Sequence, residues 1–235
     1  MAREAPFAGE TVAVMGLGRA GLPGAQALAR MGARVLAWDD SEPARRQAAE
    51  EGVPLADLAA ADFGAIDALL LSPGIPHRLP APHPVAARAQ AVGTPIVCDA
   101  DLLFRAVRET GSAARFAGVT GTNGKSTTTA WATHLLVTAG FDAVAAGNIG
   151  TALSEVALRP EQPDWAVVEA SSFQLGDIDT FAPRIGVLTN LSPDHLDRYP
   201  SVEAYYADKA RLFENAVPTS VWVLNAEDAA VMKMP

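Results

Sequence analysis

An α/β fold built on two successive parallel sheets is what this sequence predicts, on three observations. Short apolar runs alternate with helix-period runs along the whole chain. A Gly16-Leu-Gly-Arg-Ala-Gly21 turn follows the first apolar run and opens a helical one. A second glycine-rich turn, Thr120-Gly-Thr-Asn-Gly-Lys-Ser-Thr127, does the same after a later apolar run. Strands separated by helices of ten or more residues imply crossover connections, hence parallel strands with helices on both faces.

The elements follow from pattern and punctuation. Residues 11–15 form a short apolar strand, 19–31 a helix, and 34–38 a second strand ending at Asp39-Asp40. Residues 42–51 are helical and stop at Gly52. Residues 67–71 are a buried strand closed by Ser72-Pro73-Gly74. Residues 83–92 form a helix, 95–98 a short strand, and 101–108 a helix with Asp99 as its cap. The small, polar segment 109–113 reads as a linker, and the pattern then restarts. Strands are predicted at 115–120, 142–146, 165–170, 185–190 and 220–225. Helices are predicted at 125–139, 151–158, 201–215 and from Asp228 onward. The chain stops at Pro235, just after a strand and a helix start, so the second unit reads as incomplete. The domains are therefore residues 1–110, Rossmann-like, and residues 114–235, of P-loop type.

Composition narrows the function. The chain has 235 residues, 49% hydrophobic and 19% charged, with a net charge of −9. An acidic protein lacks the basic footprint of a nucleic-acid binder, so any phosphate must be held by local devices. A single cysteine, Cys98, forms no internal disulfide and fits a reducing cytoplasm. Residues 1–10 lack the apolar core of a signal peptide, and no run of about 18 apolar residues suggests a membrane span.

The loop at 120–127 is a phosphate cradle. Glycines 121 and 124 allow a tight turn that aims N–H groups at one point, Lys125 adds a positive charge, and Ser126 or Thr127 offers a hydroxyl to a metal. The strict P-loop pattern would have glycine at position 119, where Val119 stands. Gly16–Gly21, with Asp39 18 residues beyond Gly21, is a dinucleotide-type fingerprint. Its physical content is a diphosphate at a helix N-terminus and an acid near a sugar. Glu169 ends an apolar strand, where such an acid serves a magnesium ion or faces solvent at the sheet edge. His195, flanked by Asp194 and Asp197 after another strand, is either a metal or phosphate ligand or incidental to a capping aspartate. Lys209 falls within the apolar stripe of Val202, Tyr205, Tyr206, Leu212 and Phe213. A buried ammonium there would have a lowered pKa; the alternative is that its stem packs while its head reaches water. His77, His83 and His134 have no partners at ligand spacing and read as structural or surface residues.

Taken together these residues resemble the Mur ligases, most densely at 120–127, Gly147-Asn-Ile-Gly150, Glu169-Ala-Ser-Ser-Phe-Gln-Leu175, 190–199 and 206–215. The Ser-Ser-Phe-Gln-Leu and Asp-His-Leu-Asp-Arg-Tyr runs point to the D-glutamate-adding branch. The resemblance implies an ATP-dependent ligase joining D-glutamate to UDP-N-acetylmuramoyl-L-alanine in peptidoglycan synthesis, through an acyl phosphate, as a cytoplasmic monomer using ATP and magnesium. It implies that Gly121, Thr122, Asn123, Gly124, Lys125, Ser126 and Thr127 hold ATP phosphates, with Asn225 and Asp228 near adenine. Ser126 and Glu169 would serve one magnesium, His195 would help hold a second, a carbamylated Lys209 would serve the metal site as an anion, and Lys125, Glu169, His195 and Lys209 would be the catalytic set. Gly18, Arg19, Ala20, Asp39, Asp40 and Gly74 would form the uridine-diphosphate pocket, and Asn148, Ser171 and His195 the muramoyl-alanine site. Ala20 departs from the pattern, since it supplies no side-chain hydrogen bond to uracil. The family's third domain, which contributes the D-glutamate site, is expected beyond Pro235. Rival readings are the alanine-adding Mur enzyme, a folylpolyglutamate synthetase, an NAD-dependent dehydrogenase built on Gly16–Asp39, and a P-loop regulatory NTPase. The dehydrogenase leaves Lys125, Glu169, His195 and Lys209 without a role.

Overall fold

The computed structural model describes residues 5–234. Strands β1 (Thr11–Met15), β2 (Arg34–Trp38), β3 (Ala68–Leu71) and β4 (Ile96–Val97) form a parallel sheet in the order β2-β1-β3-β4. Helices α1 (Gly21–Arg30), α2 (Glu42–Glu50), α3 (Pro84–Val92) and α4 (Asp99–Glu109) follow the four strands in turn. After Thr11 and the exposed Arg34, which open β1 and β2, the strand residues are apolar because both faces of the sheet are covered. Val12, Val14 and Leu70 pack with Ala25 and Leu28 of α1, while Ala13, Met15, Leu69 and Leu71 pack with Phe63, Val85 and Ala89. The chain runs from β1 outward to β2 and then crosses to β3. The crevice where strand order reverses therefore opens at the carboxyl ends of β1 and β3.

The second sheet contains β5 (Arg115–Thr120), β6 (Ala143–Gly147), β7 (Trp165–Glu169), β8 (Ile185–Leu188) and β9 (Val221–Leu224), all parallel, in the order β6-β7-β5-β8-β9. Its helices are α5 (Lys125–Thr138), α6 (Leu153–Ala157), the one-turn α7 (Ser172–Leu175) and α8 (Val202–Ala210). Because β7 and β8 flank β5, the loops that leave these three strands emerge side by side at one edge.

The sequence reading and the structure differ at four places, each for a local reason. The helix predicted at 101–108 begins earlier, at Asp99, and Asp99 does not cap it: Cys98 sits at the N-cap without a side-chain bond. Asp99 instead accepts a hydrogen bond from Gln174 Nε2 at 2.8 Å, which satisfies a buried carboxylate. The helix predicted over 201–215 ends at Ala210 and tightens into a 3₁₀ turn, Arg211–Phe213. The helix predicted from Asp228 is a 3₁₀ turn, Val231–Lys233, which the Asp228 carboxylate opens by accepting from the amides of Ala230 and Val231. Helix α7 was not predicted, although Ser171-x-x-Gln174 is a capping-box pattern and the structure forms that box.

Helix α4 belongs to both halves. Leu102 and Ala106 pack in the core of the first sheet, whereas Ala100, Leu103 and Val107 pack in that of the second. Phe104 meets Phe116 and Phe181 edge-on, with ring centroids 5.3 and 5.9 Å away. Asp101, 2% exposed, closes the junction: its carboxylate accepts from the amides of Asp179, Thr180 and Phe181 at 2.7–2.8 Å and from Thr180 Oγ1 at 3.0 Å. Asp101→Ala would leave three amides without their acceptor, and should lower unfolding free energy by on the order of 3 kcal/mol in urea titrations. A loss under about 1 kcal/mol would show that water or local relaxation replaces the carboxylate.

Candidate active site

The phosphate-cradle loop is shaped by its neighbour strand. Gly121 (φ +144°) and Gly124 (φ +80°) adopt backbone conformations that favour glycine. A Cβ on Gly121 would lie 2.0 Å from Thr189 Oγ1, so no side chain fits there. Val119, the departure from the strict P-loop, is fully buried within β5; the chain is still strand at that position and turns only afterwards. Asn190, after β8, clamps the turn: its backbone oxygen accepts from Thr122 N, its Oδ1 from Asn123 N, and its Nδ2 donates to Asn123 O, all at 2.9 Å. The amides of Thr122 and Asn123 are thus committed to Asn190. The N–H groups that open α5, at Lys125, Ser126 and Thr127, have no partner within the helix, an arrangement that can receive an anion. Lys125 Nζ donates to Thr122 O at 2.8 Å.

Glu169 is 3% exposed at the end of β7, and its Oε2 has no hydrogen-bond partner. Gly147 (φ +100°) passes directly over it, since a Cβ there would lie 2.3 Å from Glu169 O, and Asn148 N donates to that same oxygen at 3.1 Å. His195 takes φ +52°, an uncommon conformation for a non-glycine residue. Its ring lies 5.1 Å from that of Phe173 and 6.0 Å from that of Tyr205.

Lys209 settles one open alternative: at 1% exposure its head does not reach water. Nζ donates to Gly121 O at 2.8 Å and lies 4.7 Å from the Tyr205 ring. Burial, aided by the nearby charge of Lys125, lowers its pKa to about 7, against opposing pulls from Asp194 and Asp208. Near neutral pH a large fraction of this amine is uncharged.

Two cavities bring part of the predicted site together; residues 121–124, Ser126, Thr127 and Glu169 line neither. One of about 220 Å³, at the reversal point of the first sheet, is lined by Arg19, Ala20, Ser72, Pro73, Gly74, Asp99, Asn148 and Gln174 among others. The other, about 260 Å³, lies at the edge of the second sheet and is lined by Lys125, Asn148, Ser171, Phe173, His195, Arg198, Tyr205 and Lys209 among others. Both share Pro73, Gly74 and Asn148, so they form one cleft that reaches from the first unit to the phosphate loop. Arg198, Phe173, Gln174 and Asp99 are lining residues to which the sequence reading assigns no site role, although Phe173, Gln174 and Arg198 stand within quoted runs and Asp99 is read as a helix cap. The Arg198 guanidinium lies 4.7 Å from the Phe173 ring and donates to Gly74 O at 3.4 Å.

Other expected residues lie away from these cavities. Asp39 Oδ2 accepts from Leu17 N at 2.6 Å and Oδ1 from Ser41 N at 2.7 Å, so it fastens the glycine turn of the first unit. Asp40 is 2.9 Å from His83 Nε2, and His83 Nδ1 accepts from Val85 N, giving that histidine a capping role in α3. Gly18 is exposed and lines neither cavity. Asp228 accepts from Leu191 N at 2.8 Å, tying its loop to the one after β8, and Asn225 Oδ1 accepts from Glu227 N at 3.1 Å within its own loop. Among the described residues, no group of three or more His, Cys, Asp or Glu side chains is placed to hold a metal, and no helix is long and apolar enough to cross a membrane.

Residues 119–234 match the profile of the Mur ligase middle domain. Over 220 residues the chain is 42% identical to the UDP-N-acetylmuramoylalanine–D-glutamate ligase of Paramagnetospirillum magneticum, covering 94% of this chain and 47% of that protein. The chain belongs to the Mur ligase family. The ligase of the same name from Dinoroseobacter shibae is 46% identical over 213 residues, covering 88% of this Mur ligase chain and 46% of that protein. The chain thus spans about half the length of the curated relatives it matches. Two solved structures share the fold. The UDP-N-acetylmuramate:L-alanyl-gamma-D-glutamyl-meso-diaminopimelate ligase of Neisseria meningitides aligns over 96% of this chain and 74% of its own, at TM-score 0.60 and 18% identity. The UDP-N-acetylmuramate–alanine ligase of Thermotoga maritima aligns over 95% and 51%, at TM-score 0.53 and 21% identity.

The lowered pKa of Lys209 has a consequence for stability. Between about pH 7 and the ordinary lysine value of 10.5, the unfolded chain binds more protons here than the folded one, so stability rises with pH across that window and the gain is lost as pH falls through 7. Lys209→Met should remove a rise on the order of 3 kcal/mol between pH 7 and pH 10, read by urea unfolding at each pH. An identical pH dependence in both proteins would show that the folded state leaves Lys209 with an ordinary pKa.

Proposed function

We propose that this Mur ligase chain binds UDP-N-acetylmuramoyl-L-alanine and ATP for the addition of D-glutamate, in the cytoplasm and as a monomer. The observation that carries the reading is the single cleft, which joins Arg19 and Gly74 of the first unit to Lys125, His195 and a buried Lys209. The names of the relatives support the choice of amino acid. In this reading residues 1–110 are the UDP-substrate domain and residues 114–235 the ATP-binding domain.

The N–H groups at the start of α5 and the Lys125 ammonium would take the β- and γ-phosphates, on the loop held by Gly121, Thr122, Asn123 and Gly124. Lys125 would leave Thr122 O to do so. The donor set fits magnesium: Ser126 and Thr127 are hydroxyls at the helix start, and Glu169 carries a buried carboxylate oxygen with no partner. Bound magnesium neutralises charge that gathers on phosphoryl and acyl oxygens. Glu169 at the end of β7, Ser126 in α5, His195 in the segment after β8 and Lys209 in α8 stand on four different elements, so no single loop would hold the metal by itself. Lys209 needs a neutral amine to take up carbon dioxide, and its burial supplies one; as a carbamate it would give this cationic region an anion beside His195. Asn148 and His195 would orient the alanyl carboxylate toward the γ-phosphate, and Ser171 would line the same muramoyl-alanine site. The D-glutamate amine would then attack the acyl phosphate, releasing phosphate as the amide forms. Asp39 and Asp40 act on the uridine end through the loops that they fasten, and Asn225 and Asp228 likewise shape the segment near adenine.

The reading is tested by titration calorimetry: UDP-N-acetylmuramoyl-L-alanine should bind this chain and NAD should not. Tight NAD binding with none of the UDP ligand would overturn it in favour of a dehydrogenase. In a protein of the relatives' length, Lys125→Ala should reduce D-glutamate-dependent phosphate release by at least about a hundredfold, the loss expected of a contact to transition-state charge. Affinity for the UDP ligand should stay within about twofold, since Lys125 lies at the opposite end of the cleft from the uridine contacts. Activity within about tenfold of the parent would remove the phosphate loop from the mechanism.

A further inference from the structure

The hydrogens around Ser171 can be assigned from three side chains. Ser171 lines the phosphate-loop end of the cleft, and Gln174 and Asp99 line the other end. Gln174 is 2% exposed, and one atom of its carboxamide lies 3.0 Å from Ser171 N and 2.9 Å from Ser171 Oγ. A backbone amide only donates, so that atom must be the carboxamide oxygen, Oε1. The other end of the carboxamide agrees: Nε2 lies 2.8 Å from Asp99 Oδ1 and donates to it. With an oxygen 2.9 Å away, the Ser171 hydroxyl spends its single hydrogen on Gln174 Oε1. It also accepts the Gln174 N–H at 3.2 Å, which uses one lone pair. What remains to face the cleft is the second lone pair.

The geometry points to Ser171 as an obligatory hydrogen-bond acceptor toward the substrate, locked in that polarity by Gln174 and by Asp99, a positioning residue contributed by α4. The matching ligand group is a donor, and the amide N–H of an N-acylated amino acid is such a group. A phosphate or carboxylate oxygen at that spot would meet a lone pair with a lone pair. Asp99 matters because its carboxylate offers Gln174 only acceptor oxygens; turning the carboxamide over would set oxygen against oxygen there and N–H against N–H at Ser171. The assignment of an N-acyl amino acid rests on the proposed function, whereas the polarity of Ser171 does not.

Two measurements test this. The first compares UDP-N-acetylmuramoyl-L-alanine with its ester analogue, in which L-lactate replaces L-alanine and an oxygen replaces the amide N–H. By calorimetry the wild-type chain should prefer the amide by about three- to tenfold, the weight of one hydrogen bond. Ser171→Ala should show no preference. Asp99→Asn, whose Oδ1 can accept the same bond, should keep it, and Asp99→Ala should lose it. Equal binding of amide and ester by wild type, or an undiminished preference in Asp99→Ala, overturns the inference. The second measurement needs no ligand and no variant. In the NMR spectrum of the wild-type chain, Gln174 Nε2 should show a through-hydrogen-bond coupling to Asp99 Cγ and slow exchange of the bonded proton with solvent. A freely exchanging Gln174 carboxamide overturns the inference even if neither UDP ligand binds, an outcome that would by itself count only against the proposed function.

Discussion

The shared helix α4 is the constraint on which the cleft depends. A helix normally buries one stripe, yet α4 turns Leu102 toward one core and Leu103 toward the other, and Asp101 fixes the backbone of residues 179–181. The carboxyl edges of two separate sheets are thereby held face to face. Arg19 after β1, Gly74 after β3 and Asn148 after β6 can then line one space. Without the common helix each edge would be an ordinary sheet end, and neither would enclose a ligand.

At the second edge, placement works through steric exclusion and burial. Glycines at 121 and 147 let strands and loops approach to distances that any Cβ would forbid, and this closeness is what removes water from Lys209 and Glu169. A buried lysine that donates to a backbone oxygen, and a carboxylate oxygen with no partner among the described residues, are costly to maintain in a stable fold. Buried amines with a lowered pKa, as at Lys209, concentrate where a site needs shifted proton affinities.

Much of this was legible in the sequence. Strands β1, β2 and β5 lie where apolar runs and the turns after them placed them, because buried parallel strands must be apolar on both faces. The position of Lys209 in an apolar stripe was readable, but whether its head escaped to water was not, since that depends on Gly121 arriving from a distant loop. The same limit applies to Asp99 and Asp101. Alone they read as helix-start residues; their partners, Gln174 and residues 179–181, are visible only when the second sheet is in place. Asp39 shows the reverse case, since an acid at the right spacing from a glycine turn proved to be bonded to that turn itself.

The central position of β5 sets an order of events during synthesis. Both of its hydrogen-bonded neighbours, β7 and β8, are made after it, and β6 emerges before either. A chain leaving the ribosome therefore carries its central strand, and the second flank of α4, without cover until residues near 188 have appeared. Long-range parallel pairing of this kind is slow and leaves unpaired edges open to other chains. Nascent copies of this protein should accordingly engage holding chaperones over that interval, and pauses in translation between β5 and β8 should lower the yield of folded protein more than pauses elsewhere.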